Sequence, residues 1–198
     1  MDLFSAGTGL VPIPIEDGAL AMLAHMPLPG GSDNVLARLI AETPWRAETV
    51  VVYGKRHLQP RLSAWYGEVG YRYSGLTLAP MALTPLLATL RASVEDITGQ
   101  RYNSVLLNYY RDGQDSMGMH SDDETELGPQ PAIASLSLGA TRTFILRHKT
   151  SKRTMRIDLK DGSLLLMTGA LQTHWLHGIN KTAKPVGPRL NLTFRYIA

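Results

Sequence analysis

A strict two-residue alternation near the C-terminal end of the chain constrains the fold more than any other feature. Polar and apolar residues take turns in the order Arg189, Leu190, Asn191, Leu192, Thr193, Phe194, Arg195, Tyr196. This period predicts a β-strand with one polar and one apolar face. The polar face meets water, or it points into a barrel where its two guanidinium groups hold an anion, because a buried arginine without an anion is costly. The pattern alone leaves both interpretations open.

Other segments from residue 102 onward have the same β character. They cover residues 102–110, 132–138, 142–147, 154–159, 163–167 and 173–179, with turn signals such as Asp161-Gly162 between them. Six or more short strands separated by turns favour a sandwich, a barrel or a jelly roll.

The N-terminal half is predicted to contain two helices. Ser32 or Asp33 is expected to cap a helix that ends near Glu42, and a second helix is expected between Thr84-Pro85 and Gly99. Residues 1–18 are predicted to be an arm with little regular structure, 19–26 and 49–53 to be strands, and 54–70 to be irregular. Because no linker interrupts the chain, we expect one domain over residues 1–198.

Composition limits the possible sites and compartments. The chain has 198 residues and no cysteine, which excludes disulfides, cysteine-ligated zinc and iron–sulfur clusters, so a metal must be held by histidines and carboxylates. No run of about 18 apolar residues is present, and residues 1–10 lack the pattern of a secretory signal. The expected location is the cytoplasm, or the nucleus in a eukaryote.

The net charge of +3 is less informative than its distribution. Basic residues are grouped at Lys55, Arg56, His57 and Arg61, and again at Arg142, Arg147, His148, Lys149, Lys152, Arg153 and Arg156. Such groups suit a polyanion by phosphate contact and counterion release, but they also suit a solvated hairpin.

His120 and Asp122 are candidate metal ligands, because side chains two residues apart in an extended chain lie on the same face. A third ligand could come from His177 or His174, of which only one can face a barrel interior if both lie on one strand. Two imidazoles and one carboxylate form the facial triad that binds non-haem Fe(II) and leaves positions open. Asn108 and Tyr110 also share a face and could hydrogen-bond an anion held by the arginines.

Several longer motifs occur together with these residues. They are Asn108-x-Tyr110, Asp112-Gly113, residues 120–124 (HSDDE), 131–142 (PAIASLSLGATR), 162–167 (GSLLLM), 173–177 (THWLH) and 188–195 (PRLNLTFR). In this order they resemble the AlkB family of Fe(II)- and 2-oxoglutarate-dependent nucleic-acid dioxygenases, and are most similar to its duplex-DNA-acting members. The resemblance covers about residues 45–198, with a departure at Asn180, near which relatives have proline.

The resemblance implies a mainly β fold with flanking helices (α+β): a double-stranded β-helix, or jelly-roll, core in residues 81–198. It implies that residues 45–80 form nucleotide-recognition hairpins, and it leaves the role of residues 1–44 open. The implied catalytic and iron ligands are His120, Asp122 and His177, which makes His174 structural. The implied 2-oxoglutarate contacts are Asn108, Tyr110, Arg189, Asn191, Thr193 and Arg195, with Arg189 at the distal carboxylate.

The resemblance also implies a substrate-binding side. Tyr53, with Gly54 and Lys55, matches a hairpin that inserts an aromatic wedge into duplex DNA. Tyr71 and Tyr73 resemble pocket residues beside a flipped base, and Asp123 and Glu124 resemble contacts to its edge.

The implied reaction is oxidative demethylation of 1-methyladenine and 3-methylcytosine, supported by Fe(II), 2-oxoglutarate and O2, with ascorbate as a reductant in vitro. It releases formaldehyde, succinate and CO2. The implied partner is duplex or single-stranded DNA. The chain is expected to be a monomer and not to bind a membrane. Alternatives are the same chemistry on RNA or protein, and a non-catalytic nucleic-acid-binding barrel.

Overall fold

The computed structural model of the protein contains two larger antiparallel sheets with helices beside them. It describes residues 9–52, 55–68, 70–73, 76–78 and 80–198, with the backbone alone described at 50–52, 55–56, 71–73 and 76–78. The helices are α1 (Ser32–Glu42), α2 (Pro85–Thr98) and α3 (Leu171–His174), with a 3-10 turn at Thr125–Leu127. None of these helices combines the length and the apolar composition needed to span a membrane.

The strands are short, as their turn signals predict. In chain order they are β1 (Val11–Ile13), β2 (Ala19–Leu23), β3 (Thr49–Val52), β4 (Lys55–Leu58), β5 (Leu62–Gly67), β6 (Tyr71–Tyr73), β7 (Leu76–Leu78), β8 (Ser104–Tyr110), β9 (Met117–His120), β10 (Ile133–Gly139), β11 (Arg142–His148), β12 (Thr154–Leu159), β13 (Leu164–Thr168), β14 (Trp175–Ile179) and β15 (Arg189–Arg195).

The large sheet has the strand order β1-β2-β13-β10-β15-β8-β5, and the small sheet has the order β12-β11-β14-β9. The pairs β3–β4 and β6–β7 form separate two-stranded hairpins. Two facing antiparallel sheets with non-sequential neighbours are the jelly-roll arrangement, so the predicted fold class is confirmed.

Strand β15 lies inside the large sheet, between β10 and β8, and is buried on both faces. Its apolar residues Leu190, Leu192 and Phe194 join the core that includes α2. A second core, which includes Phe144, lies between the two sheets. The polar residues of β15 therefore face the space between the sheets, and the solvent-facing interpretation of the alternation is wrong.

Helix α2 has the predicted ends. The Thr84 side chain accepts a hydrogen bond from the Leu87 N–H at 3.2 Å, and Gly99 ends the helix at φ 66°. Leu86, Leu87, Leu90 and Val94 are all buried, as their helical spacing requires.

Three local predictions were wrong. Gly31 precedes α1 as the N-cap, with no side-chain cap from Ser32 or Asp33. Residues 54–70 were predicted to be irregular, but they contain β4 and β5. His174 ends the one-turn helix α3 and does not lie on the strand that carries His177, so the face argument that separated the two histidines does not apply.

Substitution Leu90→Ala should lower the free energy of unfolding by about 2–5 kcal/mol, because it leaves a cavity under a fully buried side chain. Leu90→Met keeps most of the volume and should cost less than about 1.5 kcal/mol. Denaturant unfolding of both variants measures the difference. Equal unfolding midpoints for Leu90→Ala and wild type would show that α2 is not packed on the sheet as described.

Candidate active site

A cavity lies between the two sheets. Side chains from both sheets line it: Asn108, Tyr110, Met117, His120, Asp122, Ser135, Phe144, Leu159, Met167, His177, Ile179, Arg189, Asn191, Thr193 and Arg195, with Gly178. The cavity therefore brings together the candidate metal ligands and the polar face of β15, which the sequence places up to 75 residues apart (120 to 195).

Three metal-ligand side chains meet in this cavity. One nitrogen or oxygen atom from each of His120, Asp122 and His177 lies within 4.8 Å of the other two. His120 ends β9 and is paired with His177 on the neighbouring strand β14, which brings the ring centroids to 4.4 Å. The pairing of β9 with β14 thus places two candidate ligands side by side, although they are far apart in sequence.

The histidines have the protonation that a metal needs. His120 Nδ1 lies 2.9 Å from the Gly118 carbonyl oxygen, which can only accept, so Nδ1 carries the proton and the lone pair is on Nε2. That Nε2 atom is 3.7 Å from Asp122 Oδ1. Burial lowers the pKa of His120, and burial followed by the nearby His120 ring lowers the pKa of His177 to about 3. Both imidazoles are consequently neutral at pH 7, as metal ligation requires.

Asp122 is held as a carboxylate. Burial opposes its ionisation, but the nearby positive charge of Arg195 outweighs burial and holds the pKa of the carboxyl well below its usual range. Arg195 Nη2 donates to Asp122 Oδ2 at 2.8 Å, with 2% of each side chain exposed. Oδ1 has no hydrogen-bond partner among the described residues and is oriented toward His120.

Arg189 is a buried cation with unused donors. Its Nη2 donates to Ser137 Oγ at 2.9 Å, while Nε and Nη1 have no hydrogen-bond partner in the described part of the chain. Burial lowers the pKa of the Arg189 guanidinium to about 10, so it stays charged at neutral pH. The guanidinium also lies 5.0 Å from the centre of the Tyr110 ring. A buried positive charge with free N–H groups in a cavity is suited to a carboxylate.

The other predicted co-substrate residues have partners inside the protein. Asn191 Nδ2 donates to Ser135 Oγ at 2.7 Å, and Thr193 Oγ1 donates to Asn191 Oδ1 at 2.9 Å. The Tyr110 hydroxyl lies 3.8 Å from Met117 Sδ. Asn108 Oδ1 accepts from Arg61 Nε at 2.7 Å, which leaves the Asn108 amide N–H groups to donate. All of these residues line the cavity except Arg61.

A second group of metal-type side chains consists of Asp17, His148 and His174. His148 Nδ1 accepts hydrogen bonds from the backbone N–H groups of Ser151 and Thr150, at 3.0 and 3.3 Å. Its proton must therefore be on Nε2, which donates to Asp17 Oδ2 at 3.1 Å. Both ring nitrogens are engaged, so this group fastens the N-terminal segment to the β11–β12 hairpin and does not offer a metal site.

The predicted substrate residues lie partly outside the description. Tyr53 and Gly54 are outside the described residues, and Lys55, Tyr71 and Tyr73 are described by their backbone in β4 and β6. Asp123 is exposed and accepts from Ser121 Oγ at 2.8 Å, with Lys149 Nζ 3.4 Å away. Glu124 is the residue before the 3-10 turn. Their contacts to a base remain predictions.

The basic groups divide into two classes. Arg142 is buried, and its guanidinium donates to the carbonyl oxygens of Asp112, Asp115 and Asn180, so it joins two loops. Arg61 is also buried. Arg147, Lys152 and Arg156 are exposed on the β11–β12 hairpin. The exposed residues are available to a polyanion, whereas the buried Arg61 and Arg142 are not.

Sequence reasoning missed Arg61, Gln172 and the hydrogen-bonding role of Ser135 and Ser137. The alternation in β10 places both serines on one face, and that was the signal available for them. No sequence pattern indicated the hydrogen bonds of Arg61 and Gln172. Each of these side chains bonds to a residue about 50 positions away, which only the fold brings close.

The residues present fit the groups that the motifs imply. Two neutral imidazoles and one carboxylate oxygen without a hydrogen bond are a donor set for Fe(II). The unused Arg189 donors fit the far carboxylate of a dicarboxylate such as 2-oxoglutarate.

Comparisons with known proteins agree with this geometry. The model of the 2OG-Fe(II) oxygenase superfamily matches residues 22–195. The chain is 43% identical over 176 residues to alpha-ketoglutarate-dependent dioxygenase alkB homolog 3 of Mus musculus, covering 84% of this chain and 62% of that protein. It is 46% identical over 158 residues to DNA oxidative demethylase ALKBH2 of Homo sapiens, covering 75% of this chain and 60% of that protein.

The chain thus spans about three fifths of the length of these relatives. Among solved structures, "The structure of OsALKBH1" matches with a TM-score of 0.69 at 17% identity, covering 94% of this chain and 100% of that chain, a likeness of fold. The resemblance to AlkB proteins is confirmed. The chain belongs to the 2OG-Fe(II) oxygenase superfamily, which implies Fe(II) as its cofactor and 2-oxoglutarate and O2 as its co-substrates.

Proposed function

We propose that this protein is an oxidative demethylase that removes N-methyl groups from 1-methyladenine and 3-methylcytosine in DNA. The observation that carries the proposal is the convergence of His120, Asp122 and His177 in one cavity with the unpaired donors of Arg189. The names of the relatives, among them a DNA oxidative demethylase, support the choice of substrate.

His120, Asp122 and His177 are the proposed iron ligands. His120 would bind through Nε2, because Nδ1 is engaged with Gly118, and Asp122 would bind through Oδ1, because Oδ2 is held by Arg195. When bound, Fe(II) with 2-oxoglutarate and O2 supplies the oxidation of the N-methyl group, which leaves as formaldehyde while 2-oxoglutarate becomes succinate and CO2.

The remaining cavity residues would hold the co-substrate. Arg189 would bind the distal carboxylate of 2-oxoglutarate through Nε and Nη1, with Tyr110 beside it. Arg195 would serve at the proximal end, where it already fixes Asp122. Asn108, Asn191 and Thr193 would complete the polar wall.

The substrate side of the site is assigned to the segment that contains β3, β4 and β6. β3 pairs with β4 from Thr49↔Leu58 to Val52↔Lys55, and Tyr53 and Gly54 lie between these strands in sequence. Tyr53 would act as the wedge that fills the gap left by a flipped base, beside Gly54 and Lys55. Tyr71, Tyr73, Asp123 and Glu124 would surround the base itself. A methyl group on the Watson–Crick edge weakens pairing and lowers the cost of flipping.

The direct test is formaldehyde release from 1-methyladenine and 3-methylcytosine in single-stranded DNA, duplex DNA and RNA, with Fe(II), ascorbate and 2-oxoglutarate. Wild type should release formaldehyde from DNA, and His120→Ala should reduce it to background because a ligand is lost. Greater activity on RNA would move the substrate to RNA. No release above His120→Ala on any substrate would contradict the demethylase and favour a non-catalytic binder.

Substitution Arg189→Met should raise the KM for 2-oxoglutarate about 10- to 100-fold, since a charge-assisted hydrogen bond is worth about 1.5–3 kcal/mol. Metal affinity should change little, because Arg189 is not one of the proposed ligands. The exposed Arg156→Met is the matched control and should leave the KM unchanged. If both variants had the same KM as wild type, the distal role of Arg189 would be wrong.

Substitution Tyr53→Ala should reduce activity more on duplex DNA than on single-stranded DNA, because only the duplex has a stack to be held open. The exposed Tyr196→Ala controls for the loss of a surface aromatic ring elsewhere. The ratio of kcat/KM on the two DNA forms is the measurement. Equal losses on both forms would remove the wedge assignment.

A further inference from the structure

The backbone that carries Asp122 is not part of a helix or a strand. β9 ends at His120 and the 3-10 turn begins at Thr125, so residues 121–124 gain no support from a ladder of hydrogen bonds. A ligand on such a segment needs another contact to fix its Cα position, because a fixed carboxylate oxygen alone leaves the rest of the side chain free to turn.

The side chain of Gln172 supplies that contact. The Asp122 backbone N–H donates to Gln172 Oε1 at 3.0 Å, and 2% of Gln172 is exposed. The other end of the amide, Nε2, lies 3.8 Å from Met167 Sδ, a weak acceptor. The amide therefore has its acceptor oriented toward Asp122 and its donor toward the thioether.

Gln172 lies in α3, directly before the strand that carries His177. Its backbone carbonyl also accepts from Lys149 Nζ at 3.0 Å, which ties α3 to the end of the β11–β12 hairpin. One segment, residues 172–177, thus both carries His177 and holds the backbone of Asp122. Gln172 thus connects the segment that carries His177 to the backbone of Asp122.

We propose that Gln172 is a positioning residue of the metal site. It holds the Asp122 backbone while Arg195 holds Oδ2, and the two contacts together orient Oδ1 toward the space between His120 and His177. The inference rests on the proposed function, in which Asp122 is a metal ligand. Gln172 itself binds neither metal nor substrate.

The test measures Co(II) binding to the metal-free protein by calorimetry. Gln172→Leu removes the acceptor, and it should weaken Co(II) binding about 10- to 100-fold, as is typical when a partner that orients a ligand is lost. Gln172→Glu keeps an acceptor at the same atom, and its buried carboxyl is expected to be protonated, so it should bind Co(II) much as wild type does. Gln172→Met serves as a second acceptor-free variant if the leucine variant does not fold.

Two controls separate the possible failures. Tyr102→Phe removes a buried hydroxyl from the far face of the large sheet, so it reports what general destabilisation does to Co(II) affinity. Asp122→Ala reports whether Asp122 is a ligand. If Asp122→Ala binds Co(II) like wild type, the proposed metal site is wrong.

If Asp122→Ala loses binding while the acceptor-free variants retain wild-type affinity, the positioning role of Gln172 is wrong and the metal site stands. The positioning role is also wrong if Gln172→Glu loses as much Co(II) affinity as Gln172→Leu. It is likewise wrong if the control Tyr102→Phe loses as much Co(II) affinity as Gln172→Leu. Thermal unfolding of each metal-free variant is recorded alongside, and a purely structural glutamine would lower the melting temperature without changing the Co(II) affinity.

Discussion

The ion pair between Arg195 and Asp122 joins the two sheets at the site. Arg195 ends the inner strand β15 of the large sheet, and Asp122 follows the edge strand β9 of the small sheet by two residues. Both side chains are almost fully buried, and removing one partner of such a pair costs about 3–5 kcal/mol because the other charge is left uncompensated. This pair therefore connects the two sheets beside the cavity, and it keeps the carboxyl group of Asp122 ionised.

The two arginines of β15 have opposite roles because only one has an acidic partner. Asp122 neutralises Arg195, whereas among the described residues no carboxylate contacts Arg189, whose partners are Ser137 and the Tyr110 ring. The cavity consequently has an excess of positive charge at one end and a compensated pair at the other. The proposed 2-oxoglutarate would bring a carboxylate to Arg189, and this charge would offset the cost of burying the second guanidinium group.

The sequence predicted those features that depend on local periodicity. The alternation in 189–195 predicted β15 and its polar face, and Thr84 with Gly99 predicted both ends of α2, because capping and side-chain direction are decided within a few residues. It failed at α3, where four residues form a turn of helix too short to show a period. As a result His174 was assigned to a strand, although the choice of His177 as a proposed ligand came from the family motif.

The contacts that complete the site lie beyond what periodicity can predict. Arg61 meets Asn108, and Gln172 meets Asp122, through single hydrogen bonds across the fold, and neither residue type is distinctive at its position. Arg142 was predicted as part of a basic surface, yet it is buried against carbonyl oxygens from two loops. The sequence shows which side chains are charged. Whether such a side chain is buried, and which group it contacts, depends on the order of the strands. The proposed ligands were therefore easier to predict than the residues that hold them in place.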